Sequence, residues 1–200
     1  VHELIRNARL MIAGADVEVT ANEPATRITR GFHELVTRVY PNLSMLRGVV
    51  YTENDIRRCL ELATDGLIGN DAATLPESEQ EILAFIHGNQ REGVRTTLKS
   101  VLERFERKPY GWYYAAILCL TANLWARGKL EARSDSNLLE TDAVEQALRN
   151  TSAHGHLVLE PQIEFTASQV RALKEFHEEF FGPPSSSEAS STARQIQSTA

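Results

Sequence analysis

An uncharged stretch of 17 residues, from Tyr110 to Ala126, constrains the fold of this chain more than any other feature. A membrane-spanning helix needs about 20 mostly apolar residues, whereas this stretch is shorter and includes Gly111 and Asn123. A helix that is apolar on every side is either buried inside a protein or packed against a partner. The sequence therefore predicts a central, buried helix and no membrane span.

The elements predicted on either side of this stretch follow the order of a winged-helix domain. Apolar residues at helical spacing predict one helix between a capping box at Ser78–Glu81 and Gly88, and a second helix over 94–105. The uncharged stretch is the third helix, and Gly128 ends it by allowing a left-handed cap. Alternating residues over 130–139 then predict a hairpin, which corresponds to the wing.

A smaller set of elements is predicted before the winged-helix unit. Alternating residues on either side of Gly14 predict a β-hairpin. A helix begins at Pro24, and its apolar stripe consists of Ile28, Phe32, Leu35, Val36 and Val39. A further capping box at Thr52–Asp55 starts a short helix. The predicted fold class is mainly α with small β-hairpins (α+β): a winged-helix-like unit that follows a smaller N-terminal hairpin-and-helix unit.

Changes in composition divide the chain into four parts. Eight of the 18 residues from Pro183 to Ala200 are Ser or Thr, and so polar a segment cannot bury enough apolar area to offset its ordering entropy. We predict an N-terminal unit at 1–65, an acidic loop at 66–76, the winged-helix-like unit with a C-terminal helix at 77–182, and a disordered tail at 183–200.

The sequence contains no recognisable catalytic, cofactor-binding or metal-binding motif. Gly88–Gly93 has the glycine spacing of a phosphate-binding loop, but Val94 and Arg95 stand where that loop needs Lys and then Ser or Thr. His154 and His156 form a close pair, which we interpret as two exposed loop residues because no pattern of further metal ligands surrounds them. The two cysteines lie in apolar helix patterns, as core cysteines do. Whether the chain is an enzyme is left open.

Basic residues are concentrated in the segment 91–133. Nine Lys and Arg residues face four Asp and Glu residues there, a local net charge of +5, whereas the whole chain has a net charge of −6. The acidic balance of the whole chain argues against a general nucleic-acid coat, but a basic zone on a winged-helix unit favours contact with DNA phosphates. The predicted nucleic-acid-binding residues are Arg91, Arg95, Lys99, Arg127, Lys129 and Arg133.

The third helix does not have the composition of a DNA-reading helix. In a DNA-reading winged helix it lies in the major groove and contacts base edges through polar side chains, but here it carries no charged residue. One of its faces is predicted to be a partner interface, formed by Trp112, Tyr114, Leu118 and Trp125. We expect either the last helix, through Phe176, Phe180 and Phe181, or another chain to cover this face, because large exposed aromatic patches are uncommon.

Short segments spread over residues 1–182 resemble one family of bacterial proteins. The most specific segment is Lys108–Tyr113, which reads Lys-Pro-Tyr-Gly-Trp-Tyr. The others are Ala21–Leu46 with Pro-Ala-Thr-Arg-Ile and Val-Tyr-Pro-Asn-Leu, Arg91–Thr96 with Gly-Val-Arg-Thr, Ala126–Lys129, Glu160–Gln162 and Ala172–Phe176. On these segments the chain resembles the large P-loop ATPase of bacteriophage exclusion (BREX) systems, the BrxC/PglY family.

The resemblance implies that the chain is a non-ATPase segment from the later part of a much longer protein. The phosphate-binding loop of that family lies in an N-terminal ATPase region outside this chain, so ATP and magnesium are implied for the parent protein and no cofactor for this segment. No active-site residue of the family maps onto it. The resemblance also implies a cytoplasmic role in antiviral defence, assembly with other BREX components on DNA, and a homo-oligomeric parent protein.

Two functions from different classes follow from these observations. The first is an assembly or interaction module of a BREX ATPase that mediates protein–protein contacts and touches the DNA backbone weakly. The second is a winged-helix DNA-binding regulator whose wing and basic second helix contact phosphates.

Overall fold

The computed structural model describes most of the chain. The described residues are 2–61, 75–162, 171–172 and 176. Residues Val1–Pro161 form one compact unit, and residues Gln162–Ala200 form a second. In the second unit, residues 171, 172 and 176 are helical.

Three sequence predictions fall wholly or mostly outside the described residues. They are the loop at 66–76, the last helix that follows residue 166, and the tail at 183–200. The division into predicted units at that loop therefore stays a prediction, as does the packing of the last helix.

A short helix, a hairpin and the first long helix form the N-terminal part of the fold. These elements are α1 (His2–Asn7), β1 (Leu10–Ile12), β2 (Ala15–Val17) and α2 (Pro24–Val39). β1 pairs antiparallel with β2, with Leu10 opposite Val17, and Gly14 adopts a φ of +82° in the turn between them. Glu23 caps α2, since its carboxylate accepts hydrogen bonds from the backbone N–H groups of Ala25 and Thr26. The predicted hairpin and helix are confirmed.

A 3-10 helix and a short α-helix connect α2 to the winged-helix unit. The 3-10 helix spans Pro41–Leu46, and α3 spans Asp55–Glu61. The Asp55 carboxylate accepts hydrogen bonds from the hydroxyl and the backbone N–H of Thr52, at 2.7 and 2.8 Å. These hydrogen bonds lower the pKa of Asp55. The helix start predicted at Thr52–Asp55 is confirmed.

Three helices followed by a hairpin form the winged-helix unit, as predicted. The helices are α4 (Glu77–Arg91), α5 (Leu98–Phe105) and α6 (Tyr114–Ala126), and the hairpin consists of β3 (Leu130–Ser134) and β4 (Asn137–Leu138). Two further elements complete it, α7 (Thr141–Arg149) and β5 (Val158–Pro161). The strands form an antiparallel sheet in the order β4-β3-β5, and Val158 also bridges Thr97 just before α5. The fold is mainly α with small antiparallel strand pairs.

The first helix of this unit differs from its prediction at both ends. α4 has Pro76 at its N-cap without a side-chain hydrogen bond, and Ser78 and Glu79 are buried in its first turn, so the capping box predicted there is wrong. The helix also continues through Gly88 to Arg91. A glycine inside a helix costs only about 1 kcal/mol relative to alanine, so tertiary packing determines where this helix ends.

The core of the described structure is centred on α6. Helices α3, α4 and α5 and strand β3 all contact it, and eight of its 13 residues are buried. Trp112, immediately before α6, stacks on Phe105 at a centroid distance of 4.9 Å, and its indole N–H donates a hydrogen bond to the carbonyl of Asn42 at 3.0 Å. The predicted burial of this helix is confirmed. None of the described helices has the length and apolar character needed to cross a bilayer.

Part of the face of α6 that is predicted as a partner interface is buried within the described structure. Trp112 and Leu118 are only 1% and 0% exposed, and the covering groups include α3, Phe105 and Tyr110 of the same chain. The expectation that Trp112 and Leu118 face another chain is therefore wrong, because both side chains are buried within this chain. Tyr114 and Trp125 are half-buried, and their role in an interface stays a prediction.

Candidate interaction surfaces

Three of the six predicted nucleic-acid-binding residues lie on one exposed surface. Arg91 is the last residue of α4, Arg95 lies in the turn after it, and Lys99 lies in the first turn of α5. All three are exposed, and none forms an ion pair with a described residue. We call these three residues the basic surface. Their positive charges are available to contact phosphate groups.

Arg127 and Lys129 are committed to the interior of the winged-helix unit. The Arg127 Nε lies 3.3 Å from Glu79 Oε2 as an ion pair without hydrogen-bond alignment, and Asn123 donates a hydrogen bond to Glu79 Oε1 at 3.1 Å. Burial raises the pKa of Glu79, although Arg127 and Asn123 oppose this. Lys129 is 7% exposed. The prediction that these two residues contact DNA is corrected, because both side chains are needed or buried within the fold.

Arg133 also has partners of its own. Its guanidinium forms ion pairs with Glu131 at 2.9 Å and Glu160 at 3.2 Å, on β3 and β5. The wing beyond it, residues 134–140, contains Asp135 and Glu140 but no Lys or Arg. A DNA phosphate at the wing would lie near carboxylates and not near an unpaired cation. The charges of this region therefore do not support the expectation that Arg133 and the wing contact phosphates.

The two histidines of the predicted exposed pair lie in different environments. His154 is buried, with its Nε2 at 2.9 Å from the carbonyl oxygen of Leu148, whereas His156 is exposed. The prediction was therefore wrong for His154, which holds the end of α7 to the following turn. The described residues contain no group of three or more metal-ligating side chains.

The apolar stripe of α2 is a surface that the sequence analysis identified only as a helix pattern. Phe32 is 61% exposed and Ile28 is 55% exposed, and Leu35 lies on the same face with 38% exposed. Leu10 of the hairpin packs beside this face, where a Cβ atom added at Gly31 would lie 3.1 Å from its side chain. We call Ile28, Phe32 and Leu35 the α2 apolar face. Periodicity could show that this face is apolar but not that it is uncovered.

An apolar groove continues from the C-terminal half of α2. It has a volume of about 490 Å³, and its lining comes from α2, the 3-10 helix, the loop after it and Tyr113. The Tyr113 side chain is held against the loop after the 3-10 helix, since its hydroxyl accepts a hydrogen bond from Tyr51 N–H at 2.6 Å and donates one to the Val49 carbonyl at 3.2 Å. The groove and the α2 apolar face share α2, so together they offer an extended apolar surface.

The fold and these surfaces define the class of protein: a winged-helix domain whose third helix is buried and whose described residues include an exposed apolar surface and an exposed basic surface. The family model described as the BREX ATP-binding protein BrxC winged helix-turn-helix domain matches residues 42–161, more than half of the chain. The chain belongs to this family and is a BREX-associated module. No solved structure matches the chain.

Proposed function

We propose that this domain is an assembly module of a BREX ATPase and that its α2 apolar face binds another BREX component. The observation that carries this proposal is the exposure of Ile28, Phe32 and Leu35 on one side of a 16-residue helix. In this proposal the domain acts in the cytoplasm, and ATP and magnesium bind in the ATPase region of the parent protein.

The physical argument rests on apolar area. Contiguous apolar patches on soluble proteins mark interaction sites, and removing apolar surface from water contributes about 25 cal/mol per Å². An aromatic side chain at the centre of such a patch is a common source of binding energy, and Phe32 has this position between Ile28 and Leu35. The adjoining groove offers a second place for apolar side chains of a partner.

The test is binding of the purified chain to each of the other BREX components, measured by isothermal titration calorimetry. Phe32→Lys and Ile28→Lys should weaken binding at least tenfold without lowering the melting temperature, because both side chains are more than half exposed. Leu138→Lys is the matched control, since Leu138 is an apolar residue of the wing that is 42% exposed. Equal affinities for all three variants and the unaltered chain would contradict the proposal. A chain that only self-associates through α2 would instead support a homo-oligomeric contact of the parent protein.

The exposed basic surface favours a second, weaker activity, contact with the DNA backbone. Phosphate contacts give sequence-independent and salt-sensitive affinity, and Arg91, Arg95 and Lys99 have no ionic partner among the described residues. The burial of α6 leaves this helix without an exposed polar face for base edges, which favours an assembly module over a sequence-specific regulator. Changing Arg95 and Lys99 to Gln should remove most of the binding seen at low salt. Tight, salt-resistant binding to one defined sequence would favour the regulator.

A further inference from the structure

We propose that a groove beside the N-terminal end of α2 binds the phosphate backbone of a nucleic-acid strand through Arg6, Arg27 and Arg30. The groove has a volume of about 690 Å³, and the remaining lining residues are Val19, Thr20, Ala21, Asn22, Glu23 and Thr26. It shares no residue with the basic surface or with the α2 apolar face. The inference therefore goes beyond the proposed function.

Two of the three arginines are held in place by backbone carbonyls. Arg27 donates hydrogen bonds to the carbonyl oxygens of Val19 and Ala8, at 2.5 and 2.7 Å, and Arg30 donates one to Thr20 at 2.5 Å. Carbonyl groups orient a guanidinium without neutralising its charge. The Nε of Arg27 is also buried, so the position of this side chain is fixed by the fold.

The described carboxylates near the groove form no ion pair with these three arginines. Glu23 is the one acidic residue among the described lining, and its oxygens are engaged by the N–H groups of Ala25 and Thr26 and by the Thr26 hydroxyl. Glu34 lies near Arg30 but pairs with Arg38.

The remaining cations also lack carboxylate partners. Arg6 is exposed and has no hydrogen bond or ion pair with the described residues. Glu18 lines a neighbouring groove together with Arg30 without pairing with it. The groove therefore keeps an excess of positive charge.

The lining favours a phosphate backbone over other anions. Guanidinium groups bind phosphate oxygens with paired N–H donors, and none of the described lining residues is aromatic, so the groove has no platform on which a base can stack. Its volume falls in the range of about 300–1,000 Å³ that accommodates ligands much larger than a single phosphate ion. A strand bound here is contacted through its backbone, independently of its sequence.

The experiment measures binding of the full chain to a fluorescent duplex oligonucleotide by anisotropy over a series of salt concentrations. For Arg6→Gln, the slope of log affinity against log salt should become shallower by about 1, and for Arg6→Gln/Arg30→Gln by about 2. The loss should be the same on unrelated sequences. Arg30→Lys keeps the charge and should keep the slope, and melting curves monitored by circular dichroism check that each variant folds.

The matched control removes the same charge elsewhere. Arg9→Gln/Arg38→Gln neutralises two arginines that already pair with Asp16 and Glu34, so its slope should equal that of the unaltered chain. If Arg6→Gln/Arg30→Gln behaves like this control, the proposal is wrong. If inorganic phosphate binds at these arginines but Arg6→Gln/Arg30→Gln leaves the salt dependence of oligonucleotide binding unchanged, the groove binds free phosphate, and the proposal that it binds nucleic acid is wrong. Gln variants of Arg95 and Lys99 test the basic surface separately, because their effect on the slope adds to that of the groove.

Discussion

The buried Glu79 shows how the fold can use, in an internal ion pair, a cation that the sequence suggests is available to bind DNA. Glu79 lies in the first turn of α4 and is 1% exposed, with Arg127 and Asn123 of the α6 region as its partners. An ionised carboxylate in the interior is costly unless a cation and hydrogen bonds compensate it. Arg127 therefore stabilises the contact between α4 and α6 and is not available for DNA.

The raised pKa of Glu79 predicts a pH dependence of stability. Between the unfolded and the raised folded pKa, the native state binds more protons than the unfolded state, so the contribution of Glu79 to the free energy of unfolding falls as pH rises through this window. Relative to Glu79→Gln, the unaltered chain should therefore gain stability as the pH is lowered from neutral. Urea unfolding at several pH values measures this difference. A difference that is independent of pH would show that Glu79 titrates normally.

The two tryptophans near α6 should differ in their contribution to stability. Trp112 is 1% exposed and stacks on Phe105, so Trp112→Ala should lower the free energy of unfolding by about 3–5 kcal/mol. Trp125 is half-buried at the edge of the core, so Trp125→Ala should cost about 1–2 kcal/mol. Chemical denaturation of both variants provides the comparison, and equal losses would contradict the burial of Trp112.

At the scale of elements, α2 and α6 show why apolar patterns differ in their outcome. α6 is apolar on all sides and is surrounded by α3, α4, α5 and β3. α2 has a clear apolar stripe, yet the described elements that contact this helix leave the stripe exposed, and Phe32 stays 61% exposed. An apolar stripe indicates that burial of that helix face is favourable. The tertiary structure determines which element, if any, packs against it.

The contact between the 3-10 helix region and the loop before α6 depends on a glycine. Gly111 has a φ of +63°, and a Cβ atom built there would lie 2.4 Å from the Tyr40 ring. Gly111→Ala should therefore combine backbone strain with a clash and cost about 2–4 kcal/mol. Gly93→Ala is the matched control, because Gly93 has a φ of +69° but no atom within 4 Å; strain alone should cost about 1–2 kcal/mol. Equal melting temperatures for the two variants would rule out the close approach of Tyr40.

At the scale of the whole molecule, α3 joins the two parts of the chain that the sequence suggests are separate units. Besides packing on α6, it carries Arg57, whose guanidinium donates hydrogen bonds to Asp142 at 2.6 Å and Glu145 at 3.0 Å on α7. These hydrogen bonds raise the pKa of Arg57, and a guanidinium is protonated at every pH at which these carboxylates are ionised. The winged-helix unit therefore includes an element from the N-terminal side of the predicted loop.

Truncation tests this arrangement. A chain beginning at residue 75 lacks α3 and should aggregate or self-associate, because the apolar surface of α6 that α3 covers becomes exposed. A chain beginning at Tyr40 lacks α1 and α2 but keeps α3 and the Tyr40 ring, and it should stay monomeric and melt cooperatively. Size-exclusion chromatography and thermal melting measure both. A monomeric, stable chain from residue 75 would show that α3 is dispensable.

Local patterns determined much of the fold from the sequence. The spacing of apolar residues, Pro24 at a helix start, the turn at Gly14 and the uncharged stretch from Tyr110 to Ala126 were enough to predict the hairpins, the helices and the buried third helix. These features act over a few residues, through backbone geometry and the apolar character of one face, so they can be read in one chain. The same locality explains why Gly88 does not mark the end of α4, since tertiary contacts outweigh a cost of about 1 kcal/mol.

Only the tertiary structure decided which surfaces are available. Lys129 and Arg127 count as cations in the sequence, but one is buried and the other is paired with a carboxylate more than 40 residues away in the chain. Likewise α3 covers α6 while the α2 apolar face stays exposed. Burial and ion pairing depend on elements that are distant in sequence and close in space, and periodicity and charge counts carry no information about which of them meet.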